Sequence, residues 1–316
     1  MSTPLARVIV VSCNTVDLTC AAVRSAHASA GHLPIEVVVV DNGSTDGTLD
    51  ALDALDVPVT VDAVGANIGF GAANNRGAAG ATAPYLLLLN PDAELLGDAL
   101  AQILEVARVQ PQWGIYSGLT ERSDGTVNEA TVRNLPSLRG HVAFGLLLST
   151  LFPGRPWADP DHLDIDPDGP AVPVGVVTAS FLLIDRDHFE SLGGFDERYF
   201  LYSEEVDLLR RARAAGHQPL LAPWARVRHD AGQATGNEAR RQVLMMAGRV
   251  TYARLTWSGW CRRVALAALH SGVAMRALAE LLPGRPRLWR AVWAARRWWA
   301  PGWLAERAHP LDDLPL

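Results

Sequence analysis

The sequence predicts an α/β protein with a mostly parallel, Rossmann-like sheet flanked by helices and a helical appendage at the C-terminus. Short apolar runs alternate with segments of helical periodicity over roughly the first 110 residues, which is typical of a doubly wound sheet. Each apolar run ends in polar turn residues, as a buried strand does where it leaves a sheet. A change of composition after residue 247 indicates the appendage.

The elements of the first half follow in order. The predicted strands cover residues 7–12, 35–40, 57–61 and 85–89. We expect the first helix to be capped by Asp17 and closed by Gly31, because these residue types favour helix ends. A later amphipathic helix is expected between Asp98, as its cap, and Pro111.

The second half begins with the least regular stretch, residues 117–173, which is rich in Pro, Asp and Gly. It contains one apolar run, 142–152, that is too short for a transmembrane helix, which needs about 20 residues. Order resumes with a predicted strand at 174–184, a helix beginning at Ser203 and a short strand at 219–222.

Composition favours a globular enzyme, since 49% of the residues are hydrophobic and aromatic residues are sparse. The three cysteines, Cys13, Cys20 and Cys261, form no C-x-x-C pair, so neither a zinc site nor a disulfide framework is indicated. The N-terminal residues show no signal-peptide pattern. We therefore expect a cytoplasmic protein, at the inner face of the cell membrane if the appendage binds there.

The net charge of −6 is unevenly distributed. Residues 251–316 contain ten arginines and four acids, a net +6, so the first 250 residues carry −12. An acidic body with a basic tail argues against nucleic acid as the main partner. It favours a tail that faces an anionic surface.

The central segment is residues 85–96, YLLLLNPDAELL, in which a buried strand runs into Asn90, Pro91 and Asp92. Open α/β sheets bind their ligands at the carboxyl ends of the strands. Asp92 there could hold a divalent cation that takes further ligands from water and substrate phosphates. The alternative is an ordinary turn, since Asn-Pro and Asp are common turn residues.

Other polar residues follow the neighbouring strands. Asp41 could accept hydrogen bonds from the ring N–H of uracil or thymine or from a ribose hydroxyl, or could simply belong to a turn. Asn67, Asn74 and Asn75 offer amides beside glycines, which let a backbone approach a ligand closely. A glycine-rich loop alone is weak support for a binding site.

Two adjacent carboxylates, Glu204 and Glu205, begin the late helix. Acids favour the first helical turn because the helix N-terminus is partly positive. A buried acid held by its neighbours is also what a general base requires. His229, at a strand end, could bind a metal or a diphosphate oxygen, or be structural.

The segments VIVVSCN, VVVVDNGSTDGT, NIGFGAANNRG, LLLNPDAEL and GGFDERYFLYSEEVDLLRRARAAG occur in one order, followed by His229. In that order and spacing they resemble family 2 glycosyltransferases, most closely the rhamnosyltransferase branch. The resemblance covers residues 7–235. It implies a GT-A fold and inverting transfer of a sugar from a nucleoside-diphosphate donor, with Mg²⁺ or Mn²⁺.

The resemblance also implies roles. Asp41 resembles the family's base-binding aspartate, Asp92 the metal-binding carboxylate of its D-x-D-like motif, and His229 the late metal or diphosphate ligand. The family's usual Glu-Asp pair reads Glu204-Glu205 here, which places Glu205 at the position of the base, with Glu204 as the other candidate. The residues expected to contact the nucleotide-sugar donor are Asn14, Asp41, Asn67, Gly69, Asn74, Asn75 and Asp92.

The function so implied is transfer of a sugar, such as rhamnose from dTDP-rhamnose, to a lipid-linked or polysaccharide acceptor in cell-wall polysaccharide biosynthesis. The alternative is a non-catalytic sugar-nucleotide or glycan-binding protein with the same fold. The presence of Asp92, Glu205 and His229 favours the enzyme.

We predict a catalytic domain at 1–247 and an Arg/Trp-rich tail at 248–316. The tail contains seven of the ten tryptophans, Trp257, Trp260, Trp289, Trp293, Trp298, Trp299 and Trp303. Such helices suit a bilayer interface, with indoles at headgroup depth. The alternative is a tail that packs on the protein itself or forms a homodimer contact.

Overall fold

The structure is a computed structural model that describes residues 3–128, 132–230, 237–282, 284 and 286–303. The strands are β1 Ala6–Ser12, β2 Ile35–Asp41, β3 Thr60–Ala63, β4 Tyr85–Leu89, β5 Ala93–Leu95, β6 Ile115–Glu121, β7 Val132–Arg133, β8 Val172–Pro173, β9 Val176–Val177, β10 Phe181–Asp185 and β11 Leu220–His229. The α-helices are α1 Val16–Ala30, α2 Thr48–Asp53, α3 Phe70–Ala78, α4 Ala99–Val109, α5 Leu138–Gly145, α6 Leu148–Leu151, α7 Arg186–Ser191, α8 Glu204–Ala214, α9 Glu238–Thr256, α10 Gly259–Ala279, α11 Leu288–Ala294 and α12 Arg296–Trp299.

The chain divides into two compact units, each made of several chain segments. The sheet unit comprises Met1–Arg133, Ile165–Glu197 and Glu205–Ala234, and the helical unit Asn134–Asp164, Arg198–Glu204 and Thr235–Leu316. The predicted boundary at residue 247 falls inside α9, so the helical unit begins earlier and takes in two more segments. The division into a catalytic domain at 1–247 and a tail at 248–316 stays a prediction.

The main sheet has nine strands in the order β3-β2-β1-β4-β10-β6-β11-β5, with β8 also paired to β11. Strands β1 to β4 are parallel to one another, and so are β6 and β11. Strand β10 runs antiparallel between β4 and β6. The carboxyl ends of β1, β2, β4 and β11 therefore lie along the same edge of the sheet.

The sheet is buried on both faces, which explains why its central strands are almost uninterrupted apolar runs. Val8 and Leu87 are fully buried in the core beneath α1 and α4. On the other face, a Cβ at Gly77 of α3 would lie 2.6 Å from the side chain of Ile9. Glycine at this position lets α3 pack directly on the strands.

Several predicted boundaries are corrected. The third strand is 60–63 rather than 57–61, and the strand predicted at 174–184 is two short strands, β9 and β10. The last strand is longer than 219–222, because it resumes pairing with β6 beyond a register shift between Ala222 and Arg226. Pro223 lies in that shift, and proline lacks the N–H that a strand ladder needs.

Two helix N-termini also differ from the prediction. Helix α1 begins at Val16 after Thr15, not at Asp17, and the backbone N–H of Val16 donates to Asp46. Asp98 does precede α4, but its side chain makes no capping bond and accepts one from Gln102 instead.

The helical unit has its own core, formed where α9, α10, α11 and α12 meet. Trp299 is fully buried there and its indole N–H donates to the carbonyl of Val292 at 2.9 Å. The apolar run predicted at 142–152 forms the end of α5 and the short α6. Within the described residues, no helix is both long enough and apolar enough to cross a bilayer.

The tail tryptophans mostly belong to this core, contrary to the expectation that their indoles face lipid. Trp257, Trp289, Trp293, Trp298 and Trp303 are partly buried against it, and Trp299 is buried completely. Only Trp260 among the seven is largely exposed, at 68%. For six of the seven indoles, the structure supports the alternative in which the tail packs on the protein itself.

Candidate active site

Asp92 and His229 are brought together by strand pairing. Strand β5 runs antiparallel to the end of β11, with Ala93 opposite His229. The Asp92 Oδ1 atom lies 3.1 Å from His229 Nε2, and the two side chains are only 4% and 7% exposed. Asn90 Nδ2 lies within 3.4 Å of the same imidazole nitrogen. A carboxylate and an imidazole thus meet at the carboxyl edge of the sheet.

The pair fits a cation that is shared with a substrate. Mg²⁺ and Mn²⁺ favour oxygen ligands and are usually bound through one or two carboxylates together with substrate phosphates and waters. The described residues contain no cluster of three or more His, Cys, Asp or Glu side chains that could hold an ion alone. His229 Nδ1 is buried and finds no hydrogen-bond partner among those residues, which is costly unless a ligand reaches it.

Asp41 is the last residue of β2 and is 1% exposed. Its Oδ2 atom accepts a hydrogen bond of 3.0 Å from the backbone N–H of Ser44, which fixes the turn. Its Oδ1 atom is buried with no hydrogen-bond partner in the described part of the chain. A buried acceptor left unpaired costs about 1–3 kcal/mol, so this oxygen is well suited to an N–H or O–H donor on a ligand.

Asn14 connects the end of β1 to the loop after β2. Its side-chain oxygen accepts from the backbone N–H of Thr45 at 2.7 Å, and its own N–H donates to the hydroxyl of Ser44. Its backbone has φ 53°, in the left-handed region that asparagine tolerates better than most residues. The observed contacts hold the loop, and its expected donor contact stays a prediction.

Asn67 and Gly69 are held by Asn42, a residue that sequence analysis missed. Asn42 Nδ2 donates to Asn67 Oδ1 at 3.0 Å, and Asn42 Oδ1 accepts from the N–H of Ile68 at 3.1 Å. Asn67 Oδ1 also accepts from the N–H of Gly69. Its position could have indicated this role, because Asn42 directly follows Asp41 at the same strand end.

Asn74 and Asn75 are engaged within the protein. Asn74 is 1% exposed and donates to the carbonyl of Phe70. Asn75 exchanges hydrogen bonds of 2.8 and 3.0 Å with the backbone of Phe195 and also donates to Glu197. Asn75 therefore anchors the Gly-Gly-Phe-Asp-Glu turn to α3, and a donor contact by either asparagine stays a prediction.

The two candidate bases begin α8 and differ in burial. Glu204 is 3% exposed, while Glu205 is only partly buried. The residues before them, Tyr202 and Ser203, have φ of 65° and 73°, in the left-handed region. Such a conformation costs roughly 1–2 kcal/mol per residue, so the surrounding structure must hold this turn.

The turn before α8 is held by residues of the tail. A Cβ at Gly248 of α9 would clash with the carbonyl oxygen of Tyr202, so only glycine permits this close approach. Trp303 donates its indole N–H to the carbonyl of Leu201 at 2.9 Å, and its ring lies 5.5 Å from that of Phe200. We define residues 200–203 as the base turn. Its support by the tail was missed because the tail was treated as a separate domain.

Asp207, one turn into α8, is a structural acid. It forms ion pairs of 2.7 Å with both Arg210 and Arg211. Arg211 also donates to the carbonyls of Leu192 and Gly194. These bonds fasten α8 to the Gly-Gly turn before it.

Comparison with known proteins identifies the family to which the chain is similar. The family model described as "Glycosyl transferase family 2" matches residues 7–159. The chain is 33% identical over 258 residues to the N-acetylglucosaminyl-diphospho-decaprenol L-rhamnosyltransferase of Mycobacterium tuberculosis, covering 77% of this chain and 82% of that protein. It is 29% identical over 236 residues to the O-antigen biosynthesis protein RfbC of Myxococcus xanthus, covering 72% of this chain and 17% of that protein.

Two solved structures share the fold. The mannosyltransferase PcManGT from Pyrobaculum calidifontis, solved with GDP-Man and Mn²⁺, superposes with a TM-score of 0.57 at 17% identity, covering 95% of this chain and 88% of that one. S. aureus TarS 1-349 superposes with a TM-score of 0.51 at 12% identity, covering 91% and 77%.

The fold is thus the GT-A glycosyltransferase fold, as the sequence predicted. The chain belongs to glycosyltransferase family 2, in its rhamnosyltransferase-like branch, and is a glycosyltransferase. The family membership, the fold class and the enzyme class predicted from the motifs are confirmed.

Proposed function

We propose that the protein transfers L-rhamnose from dTDP-rhamnose to a hydroxyl of a lipid-linked acceptor, with inversion at the anomeric carbon. The observation that carries this proposal is the buried Asp92–His229 pair, on the same sheet edge as Asp41 Oδ1, which has no hydrogen-bond partner among the described residues. The M. tuberculosis relative supports the sugar and the acceptor class, since its name specifies L-rhamnose and a polyprenyl-diphosphate-linked acceptor.

The nucleoside is recognised at the end of β2. Asp41 Oδ1 accepts the ring N–H of thymine, an interaction that its buried position strengthens. The hydrogen bonds among Asn42, Asn67 and Ile68 fix the neighbouring loop, so the site is formed before the donor binds.

Asp92 and His229 would hold Mg²⁺ or Mn²⁺ together with the donor diphosphate. When bound, such a cation neutralises the charge that develops on the departing nucleoside diphosphate. Asp92 supplies the matching negative charge. Burial makes this charge more effective than it would be in water.

Glu205 is the general base. Its carboxylate takes the proton of the acceptor hydroxyl while that oxygen forms a bond to the anomeric carbon from the face opposite the leaving diphosphate. The bond between the anomeric carbon and the diphosphate oxygen breaks with its electron pair leaving on the diphosphate, so configuration inverts. A base of this kind contributes about 10²–10⁴-fold. No covalent glycosyl-enzyme intermediate is needed.

The test is a transfer assay with purified full-length protein, a short-chain polyprenyl-diphospho-N-acetylglucosamine acceptor and Mn²⁺. We expect dTDP-rhamnose to be consumed in preference to UDP-, GDP- and other dTDP-sugars, with a product heavier by one deoxyhexose. NMR of the product should show the anomeric configuration opposite to that of the donor.

Transfer of another sugar would contradict the donor assignment while leaving the enzyme class intact. Tight donor binding without transfer to any acceptor would favour the alternative, a sugar-nucleotide-binding protein. Retention of configuration would overturn the proposed mechanism.

A further inference from the structure

The helical unit carries exposed large apolar side chains on two neighbouring elements. One group lies at and after the ends of α5 and α6, and the other at the end of α10. We define the apolar patch as Leu146, Leu151, Phe152, Leu278, Leu281 and Leu282, all between 45% and 64% exposed. Single exposed leucines are common, but groups of this kind on a soluble protein mark an interaction surface.

The two groups are adjacent because α5 packs on α10 and Arg276 of α10 reaches α6. A Cβ at Gly145 would lie 2.8 Å from the backbone of Ala268, so the helices approach closely. Near the end of α10, Arg276 donates to the carbonyl of Phe144 at 3.0 Å and to the hydroxyl of Thr150. These bonds place Leu151 and Phe152 beside the last turns of α10.

Helix α10 has two different faces. Leu269 and Val273 are buried in the core of the helical unit. Met275 and Leu278, three residues apart on the opposite side, are exposed, and Leu281 and Leu282 follow them just beyond the end of the helix. These exposed apolar side chains are not needed for the core, which the opposite face already supplies.

The charge around the end of α10 is positive. Residues 257–303 contain eight arginines and one acid, Glu280. Glu280 is buried and accepts hydrogen bonds from the backbone N–H groups of Trp289 and Arg290, so it offers no exposed negative charge. Arg287 and Arg290 are exposed close by, and Arg155 is exposed after Phe152.

The acids that follow α6 within the helical unit are Asp159, Asp161 and Asp164, and each has a local partner; that of the exposed Asp164 is His162, at 2.8 Å. Asp159 accepts from the N–H of Gly154, and Asp161 accepts from the hydroxyl and N–H of Ser137. Exposed apolar side chains flanked by exposed arginines match an anionic bilayer interface, where hydrocarbon and negative headgroups lie side by side.

We infer that the apolar patch docks the helical unit on an anionic membrane surface. The leucines and Phe152 enter the boundary between headgroups and acyl chains, while Arg287 and Arg290 contact the headgroups. This surface differs from the one expected from composition, because it uses exposed leucines rather than the tail indoles. The docking itself does not rest on the proposed function; with the lipid-linked acceptor proposed above, it would bring the enzyme to the membrane that holds the acceptor.

The experiment is vesicle flotation of the full chain with phosphatidylglycerol/phosphatidylcholine vesicles and with phosphatidylcholine alone. The double variant Leu278→Ser/Leu281→Ser should bind mixed vesicles at least tenfold less tightly than the parent, because two apolar side chains are lost from the bilayer boundary. The matched control, Leu49→Ser/Val109→Ser, changes two exposed apolar residues of the sheet unit and should bind like the parent.

A second variant tests the charge. Arg287→Gln/Arg290→Gln should lower binding to anionic vesicles severalfold and leave the weak binding to phosphatidylcholine unchanged. Circular dichroism and dTDP-rhamnose binding in solution should be unchanged in all variants. Neither vesicle measurement uses donor or acceptor, so an incorrect donor sugar would not alter the result.

No flotation of the parent, or equal flotation of parent and Leu278→Ser/Leu281→Ser, would overturn the inference. A parent that is dimeric in solution and becomes monomeric in this variant, with no change in flotation, would also overturn it. The patch would then be covered by a second copy of the chain.

Discussion

The strand-end site and the base turn are built in different ways. Asp41 and His229 are the last residues of buried strands, and Asp92 is fixed by β5, so strand register sets their positions. Tyr202 and Ser203 lie outside regular structure in a left-handed conformation, held by Gly248 and Trp303 from distant parts of the chain. Side chains that take part in one proposed reaction can therefore be positioned in different ways, some by strand register and others by contacts from distant parts of the chain.

The largest effect is expected at the strand end. Asp92→Asn should abolish measurable transfer while the protein stays folded, because a neutral amide cannot balance the charge of a cation. The control is Glu94→Gln, which removes a neighbouring, half-exposed carboxylate paired with Arg228. It should retain turnover within a few-fold. If Asp92→Asn still showed metal-dependent transfer close to the parent rate, Asp92 could not be the metal ligand.

At the start of α8, Glu205→Gln should lower kcat by about 10²-fold or more with the KM for donor largely kept. The matched change is Glu204→Gln, one residue earlier and more deeply buried. We expect it to affect stability more than kcat. If Glu204→Gln causes the larger loss of kcat, the two roles are exchanged.

A smaller effect is expected from the support of the base turn. Trp303→Phe removes the indole N–H that donates to Leu201 but keeps an aromatic ring. Loss of one hydrogen bond should cost about 1 kcal/mol of stability, and the looser turn should lower kcat severalfold without changing donor affinity. Trp260→Phe, at an exposed position of the same tail, is the control and should change neither quantity. An unchanged kcat in Trp303→Phe would show that the indole bond does not position the base.

A separate effect is expected on the free energy of unfolding as a function of pH, not on transfer. Burial lowers the pKa of His141 to about 4, and the nearby charge of Arg249 adds to the shift, while a hydrogen bond to the carbonyl of Ser137 opposes it. The unfolded chain therefore binds the proton first, and stability falls as pH drops from about 6.5 toward 4, by at most about 1.4 kcal/mol per pH unit.

Thermal unfolding of the full chain between pH 7 and pH 5 measures this effect. His141→Gln should flatten the dependence, and His32→Gln, at an exposed position, should not. Identical pH dependence in the parent and in His141→Gln would contradict the assignment.

The fold was largely predictable because buried parallel strands leave a strong signal. Runs such as residues 85–89 are apolar throughout, and their polar ends coincide with the sheet edge. The length of β11 was not predictable, since Pro223 interrupts it and pairing resumes only through long-range register with β6 and β5. The proximity of Asp92 and His229 likewise depends on that register and was implied only by the family resemblance.

The tail shows that amino-acid composition alone does not predict which surface a segment presents. Arginine and tryptophan suit both a bilayer interface and a packed helical core, and only the three-dimensional arrangement separates the two. The structure buries Trp299 and leaves Leu278 and Leu281 exposed, which the composition of the tail did not indicate. The same arrangement brings Gly248 and Trp303 to the base turn, so removal of the tail should disturb more than membrane binding.

The central claim is that the strand end binds the donor diphosphate through a divalent cation, while Glu205 acts on the acceptor. Calorimetric titration of dTDP-rhamnose with and without Mn²⁺ tests it most directly, using the parent, Asp92→Asn and Glu205→Gln. We expect Mn²⁺ to increase donor affinity at least tenfold in the parent and in Glu205→Gln, and to have no such effect in Asp92→Asn. The same Mn²⁺ dependence in Asp92→Asn as in the parent, or its loss in Glu205→Gln, would contradict the account.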